Sequence, residues 1–205
     1  MINYLFSGID KKKGFTKIQT NYLKKDIKSG SNIVFIASIF NDVSKSQNNY
    51  ERFIDLFKRI GIVFNKTFLI DIRVSKEKAK EYLEETDYVF LMGGSPYLQM
   101  KYILEYEIIE DIKKVKIVIG VSAGSMNQSK RVMYKDEYEN YELKDYEGLG
   151  LVDINIFPHM DFDNTLLIQE VQEISKYMPL VLLPNNSFVR VEDGNTKIIG
   201  KHYYD

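Results

Sequence analysis

The segment Gly120-Val121-Ser122-Ala123-Gly124 sets a serine between two glycines in a G-x-S-x-G pattern, behind an apolar run from Lys116 to Val121 and ahead of a short helical turn. That strand-turn-helix context is what a nucleophile elbow requires. The glycines let the chain turn sharply and present the hydroxyl at the carboxyl edge of a sheet, and the N–H of Ala123 points at the oxyanion that develops on attack. The same residues could form a glycine-rich turn with a capping serine, so the reading depends on a base. The chain has two histidines. His202 lies in the terminal Lys-His-Tyr-Tyr-Asp. His159, in Phe157-Pro158-His159-Met160-Asp161, directly follows an apolar run, where the carboxyl edge of a sheet would set it beside the elbow. Ser122 and His159 form the candidate nucleophile and base.

A second apolar run, Tyr88 to Met92, ends in Gly93-Gly94-Ser95-Pro96. This turn can give the oxyanion a further backbone donor, and it can equally be a tight entry to a helix begun by Pro96. Neither G-x-G-x-x-G nor G-x-x-x-x-G-K-[ST] occurs, so nucleotide chemistry lacks its usual support.

Positioning these groups requires strands that end at one edge. Apolar runs recur at Ile2 to Phe6, Asn32 to Ala37, Val63 to Ile72, Tyr88 to Met92, Lys116 to Val121, Ile154 to Phe157 and Val181 to Leu183. They read as strands buried on both faces. Between them, Tyr50, Phe53, Ile54, Phe57 and Ile60 share a helical face, as do Leu167, Val171, Ile174 and Met178. The alternation predicts an α/β fold, a mostly parallel sheet with helices on both faces. Phe188 to Val191 and Lys197 to Ile199 flank Asp193-Gly194, which predicts a closing β-hairpin. The stretch from Met133 to Leu149, rich in Tyr, Glu, Asp and Lys, has no clear period and reads as a surface loop or an active-site border.

With 205 residues, 44% of them hydrophobic, the chain can build one substantial core, and a single domain over 1–205 is expected. A net charge of -1 gives no reason to expect nucleic acid or an anionic membrane as partner. The one dense basic cluster, Lys11-Lys12-Lys13, reads as a solvated loop. The absence of cysteine excludes disulfides and thiolate chemistry, and two histidines do not make a multi-histidine zinc centre, so neither metal nor cofactor is expected. The apolar start, Met1 to Phe6, breaks at Gly8-Ile9-Asp10 and is too short for a signal core or a membrane span. A cytoplasmic protein is the expectation, with its oligomeric state open.

Taken together, the strand with Gly-Gly-Ser-Pro, the elbow Gly-Val-Ser-Ala-Gly-Ser, Phe-Pro-His-Met-Asp and Leu-Leu-Pro-Asn-Asn-Ser-Phe-Val-Arg-Val-Glu-Asp-Gly resemble the peptidase E family in order and approximate spacing. Cyanophycinase is a wider relative. The resemblance implies a class I glutamine amidotransferase-like fold with serine in place of the usual cysteine, and a serine peptidase acting on very short peptides, above all dipeptides with an N-terminal aspartate. Carried over by position, it implies Ser122 as nucleophile, His159 as base, and the backbone N–H groups of Gly94 and Ala123 as oxyanion donors. It also implies an acid after the elbow helix. Ungapped spacing gives Glu137, and a shift of one gives Asp136, whose side chain would face the opposite way in extended chain. Ser125, where relatives commonly carry alanine, lies beyond the sharp turn and reads as packing or capping. Recognition of an aspartyl side chain would need a cation, for which Arg131 is the candidate. An esterase or cyanophycinase-like hydrolase, or a non-catalytic binding protein on the same fold, remain the alternatives.

Overall fold

A strand covered on both faces must be apolar at consecutive positions, and its alternate residues then feed two separate cores. The computed structural model, which describes residues 1–136 and 141–205, shows this division. In chain order the elements are β1 (Ile2–Phe6), α1 (Lys17–Asp26), β2 (Ile33–Ile36), α2 (Val43–Arg59), β3 (Thr67–Ile70), α3 (Lys76–Glu84), β4 (Tyr88–Leu91), α4 (Pro96–Glu105), α5 (Ile109–Ile112) and β5 (Ile117–Val121). They continue with α6 (Ala123–Met126), β6 (Arg131–Asp136), β7 (Glu142–Glu147), β8 (Ile156–Pro158), α7 (Thr165–Ile174), β9 (Val181–Leu183), β10 (Phe188–Glu192), β11 (Asn195–Ile199) and β12 (Tyr203–Tyr204).

The main sheet has seven strands in the order β11-β10-β1-β5-β4-β2-β3. Its five strands from β1 to β3 pair in parallel, while β10 and β11 are antiparallel. On one face Ile33, Phe35, Tyr88, Phe90, Ile117 and Ile119 pack under α1 and α2. On the other, Val34, Ile36, Val89, Leu91 and Val118 meet α3 and α4. The amphipathic stripe expected from Tyr50 to Ile60 is α2, whose Phe53 and Phe57 both pack against Phe90, with ring centroids 4.5 and 6.0 Å away. The expected hairpin is β10–β11, and its turn residues Asp193 and Gly194 both have positive φ, 48° and 82°. No helix among the described residues is long and apolar enough to cross a membrane.

Two features depart from the sequence reading. The runs around Ile156 and Val181 leave the main sheet and form a separate three-stranded sheet, β12-β9-β8. They cannot extend the main sheet beside β1, because antiparallel β10 occupies that edge. Instead Phe157 and Leu182 pack with Met133, Met160, Val171 and Ile174, the last two from α7. The aperiodic stretch after the elbow is an antiparallel ribbon, β6–β7. Its polar composition hid the pairing because β7 is largely exposed.

The main sheet is tied to α1 by a buried charge network. Arg190 Nε on β10 donates to Asp26 Oδ2 at 2.7 Å, the Tyr4 hydroxyl donates to the same oxygen at 2.6 Å, and Arg190 Nη1 reaches Glu192 at 2.9 Å. The Arg190 and Asp26 side chains are only 9% and 6% exposed. Removing one partner strands a buried charge, so Asp26→Ala should destabilise the fold by about 3–5 kcal/mol, read as a lowered urea midpoint. A change below about 1 kcal/mol, the range of a surface pair, would show that the network is not a structural tie.

Candidate active site

Ser122 stands between β5 and α6 with φ 52° and ψ -112°, a conformation that costs a non-glycine residue of order 1–3 kcal/mol unless its surroundings impose it. Here they do. Ser122 N–H donates to Phe6 O on neighbouring β1 at 2.9 Å, and Ser122 O accepts from Ser125 N and Met126 N at 2.9 and 3.1 Å as α6 begins. The glycines around the elbow serve close approach. A Cβ on Gly124 would strike the Leu91 carbonyl of β4, and one on Gly120 would strike Gly124 O and Gln128 Nε2. Ser125 is fully buried and its hydroxyl donates to Phe6 O at 2.8 Å, in line with a packing role.

Gly94 has φ 147°, and a Cβ there would collide with Ser38. Among the described residues, no group accepts from the N–H of Gly94 or of Ala123. The helix entry expected as the alternative for this turn is also present: Ser95 Oγ caps α4 by accepting from Leu98 N at 3.3 Å, with Pro96 in its first turn. The unengaged Gly94 N–H and the Ser95 cap are thus found in the same turn.

His159 follows β8 directly, at φ 57°. Its backbone is fixed by Ser7, just past β1. Ser7 Oγ donates to Leu183 O at 2.7 Å and accepts from His159 N at 2.8 Å. The imidazole Nδ1 lies 2.7 Å from Asn185 Oδ1. Because an amide oxygen only accepts, this contact places the proton on Nδ1 and leaves Nε2 as the basic nitrogen.

Two cavities, of about 760 and 580 Å³, meet at this point, and Ser122, His159 and Gly94 border both. The first is also bordered by Arg52, Lys11, Asn185 and Gly8, the second by Asp136, Tyr134, Phe157 and Glu170. Lys11 is thus not merely part of a solvated loop, since it faces the site's larger cavity.

The other residues singled out in the sequence fall as follows. Asp136 is buried, borders the second cavity, and accepts the Tyr134 hydroxyl at 2.9 Å. Burial pushes the Tyr134 phenol well above the ordinary tyrosine range, so it stays a neutral donor. Glu137 lies outside the described residues. Arg131 requires a correction. It is the exposed first residue of the otherwise largely buried β6, forks onto Asp145 at 2.8 and 2.6 Å, and borders neither cavity. His202 is likewise remote, with Nδ1 3.1 Å from Gly200 O. Sequence reasoning missed Ser7, Gly8, Asn185 and Arg52. Asn185 was within reach, since it follows a strand end by the same rule that drew attention to His159.

The model of peptidase family S51 matches residues 4–199. The chain belongs to this family. Among solved structures, it is similar to a protein from Listeria monocytogenes EGD-e provisionally named peptidase E, with TM-score 0.71 and 19% identity over 97% of both chains. It is also similar to a peptidase from an acI-B1 Actinobacterium, with TM-score 0.69 and 15% identity over 98% of this chain and 87% of that one. At such identities the likeness establishes the shared fold. No curated protein sequence is close enough to match the chain.

In this S51 family member, Gly8 is where the imidazole lies against the main sheet. A Cβ at this position would fall 2.9 Å from His159 Cε1 and 3.2 Å from Nδ1, and closer still to Asn185 Oδ1. Gly8→Ala should therefore leave the melting temperature near wild type while lowering peptidase kcat/KM about a hundredfold through displacement of the ring. Unchanged activity in a folded Gly8→Ala protein would show that the imidazole position is not critical.

Proposed function

We propose that the chain is a serine peptidase that cleaves short peptides, dipeptides with an N-terminal aspartate foremost, through an acyl-enzyme on Ser122. The observation that carries the reading is the strained Ser122 at a strand-to-helix turn, sharing both cavities with an imidazole whose Nδ1 is already engaged. Backbone strain of this kind persists where function uses the geometry.

In the reaction, His159 Nε2 takes the Ser122 proton as Oγ bonds to the scissile carbonyl carbon. The N–H groups of Gly94 and Ala123 hold the oxyanion of the tetrahedral intermediate. The intermediate collapses, the C–N bond breaks, and His159 returns the proton to the departing amine. Water then attacks the acyl-enzyme by the same route, releasing the acid and restoring Ser122. Asn185 orients the imidazole in this scheme, on the strength of the 2.7 Å contact with Nδ1. An amide fixes the tautomer as a carboxylate would but adds no charge to stabilise the imidazolium. The aspartyl preference is supported by the sequence resemblance to peptidase E.

Three measurements test this reading. Wild-type protein should be labelled on Ser122 by a serine-directed phosphonate, and Ser122→Ala should lose about a thousandfold or more in turnover. A folded protein that neither takes the label nor cleaves dipeptides would be a binding protein on a hydrolase fold. For the orienting group, Asn185→Ala should cost about a hundredfold or more in kcat, and Asn185→Asp should move the acidic limb of the pH profile to higher pH, since a new carboxylate favours the imidazolium. If Glu137→Gln or Asp136→Asn costs several hundredfold while Asn185→Ala is mild, an acid orients His159 instead. For specificity, Asp-Leu should be cleaved and Leu-Leu should not; equal cleavage of both discards the aspartyl preference and keeps the peptidase.

A further inference from the structure

Three cations, Lys11, Lys45 and Arg52, border the larger cavity, and the reaction uses none of them. Arg52, on α2, is half buried at its wall, across the same space from Ser122, His159 and Asn185. Among the described residues no carboxylate pairs with its guanidinium. Its guanidinium donates to the amide oxygen of Asn49 at a long 3.4 Å, and its Cζ lies over the Phe53 ring, 4.5 Å from the ring centre. The two acids of the cavity serve backbone. Asp10 Oδ1 accepts from Lys12 N and Lys13 N at 2.8 and 2.7 Å, and Asp42 Oδ1 accepts from Lys45 N at 2.9 Å to cap α2.

Every other arginine near a cluster of charge has its carboxylate: Arg73 has Asp71, Arg59 has Asp55, Arg131 has Asp145 and Arg190 has Asp26. Arg52 instead keeps an open fork toward the space a substrate would fill. Burial opposes its charge and holds the guanidinium below the ordinary arginine value, a penalty that an incoming anion would relieve. The planar fork backed by an aromatic face suits a carboxylate held by two parallel hydrogen bonds. The cavity on the other side of Ser122 has the opposite bias, with Asp136 and Glu170 on its wall against Lys135. A short peptide with unlike charges at its two ends would lie across Ser122 in a fixed direction.

We propose that Arg52 is the specificity residue of this site and binds a carboxylate of the substrate. The inference rests on the peptidase reading and names the group that the larger cavity recognises. Two carboxylates could supply the chemistry: the side chain of an N-terminal aspartate, or the free α-carboxylate of the departing residue. Four dipeptide derivatives separate them. Wild type, Arg52→Gln and Arg52→Lys are assayed on Asp-Leu, Asn-Leu, Asp-Leu amide and Asn-Leu amide.

The expected result is a fall of about 10- to 100-fold in kcat/KM for Asp-Leu in Arg52→Gln, seen mainly in KM, with Arg52→Lys intermediate because it keeps charge and loses the fork. If the side-chain carboxylate is the ligand, the preference for Asp-Leu over Asn-Leu collapses in Arg52→Gln. If the α-carboxylate is the ligand, the preference for Asp-Leu over its amide collapses. An equal loss on all four substrates overturns the proposal, because Arg52 would then be structural. Calorimetric binding of Asp-Leu and Asn-Leu amide to Ser122→Ala, with and without Arg52→Gln, reads recognition apart from chemistry. Arg52-dependent binding of the charged peptide without hydrolysis by wild type would retain the carboxylate site and discard the peptidase. Phosphonate labelling and hydrolysis that are indifferent to substrate charge would do the reverse. Binding that does not distinguish the two peptides, or no binding of either, overturns the carboxylate site.

Discussion

The site depends on the last turn of one strand. At the end of β1, Phe6 O accepts from both the Ser122 backbone and the Ser125 hydroxyl, so the elbow cannot shift along β5 without breaking two hydrogen bonds. One residue later, the Ser7 hydroxyl joins Leu183 of the second sheet to the backbone of His159. One residue later again, Gly8 leaves the space in which the imidazole and Asn185 meet. Three consecutive residues therefore fix the proposed nucleophile, the proposed base and that base's partner, and β1 can do this because it is a central strand, paired with β5 on one side and β10 on the other.

This arrangement explains why the proposed catalytic groups come from two sheets. Ser122 stands at the end of a strand in the main sheet, where the parallel ladder and the close approach of α6 to β4 impose its positive φ. His159 and Asn185 stand at the ends of β8 and β9, a parallel pair in the smaller sheet. Bringing the proposed nucleophile and base from separately supported frames would let each be rigid, and rigidity is what an oriented reaction requires. The seam between the frames is also where two cavities of opposite charge bias open, one toward Arg52 and one toward Asp136 and Glu170.

The polar groups around the seam are divided between structure and function. Ser38, Ser46, Ser95 and Ser125 spend their hydroxyls on carbonyls or helix caps. Asp10 and Asp42 each use a carboxylate oxygen to accept from backbone N–H groups. Among the described residues the Ser122 hydroxyl and the Gly94 and Ala123 amides have no fixed partner, and the Arg52 fork has only its long contact with Asn49; these are groups that a peptide substrate would satisfy.

The sequence determined the strands, because a strand buried on both faces must be apolar at every position, and that demand is visible without coordinates in Ile33 to Ile36 or Tyr88 to Leu91. It determined the elbow as well, because glycine at 120 and 124 answers a local need for close backbone approach. It pointed to His159 by its place after a strand. It did not determine that β8 and β9 form their own sheet, since an apolar run has the same composition in either sheet and only the capture of the β1 edge by β10 excludes it from the larger one. Nor did it distinguish Arg131 from Arg52. Both are arginines in mixed polar sequence, and whether such a side chain forks onto a neighbouring aspartate or borders the cavity beside Ser122 follows from where its strand or helix packs, which no local pattern encodes.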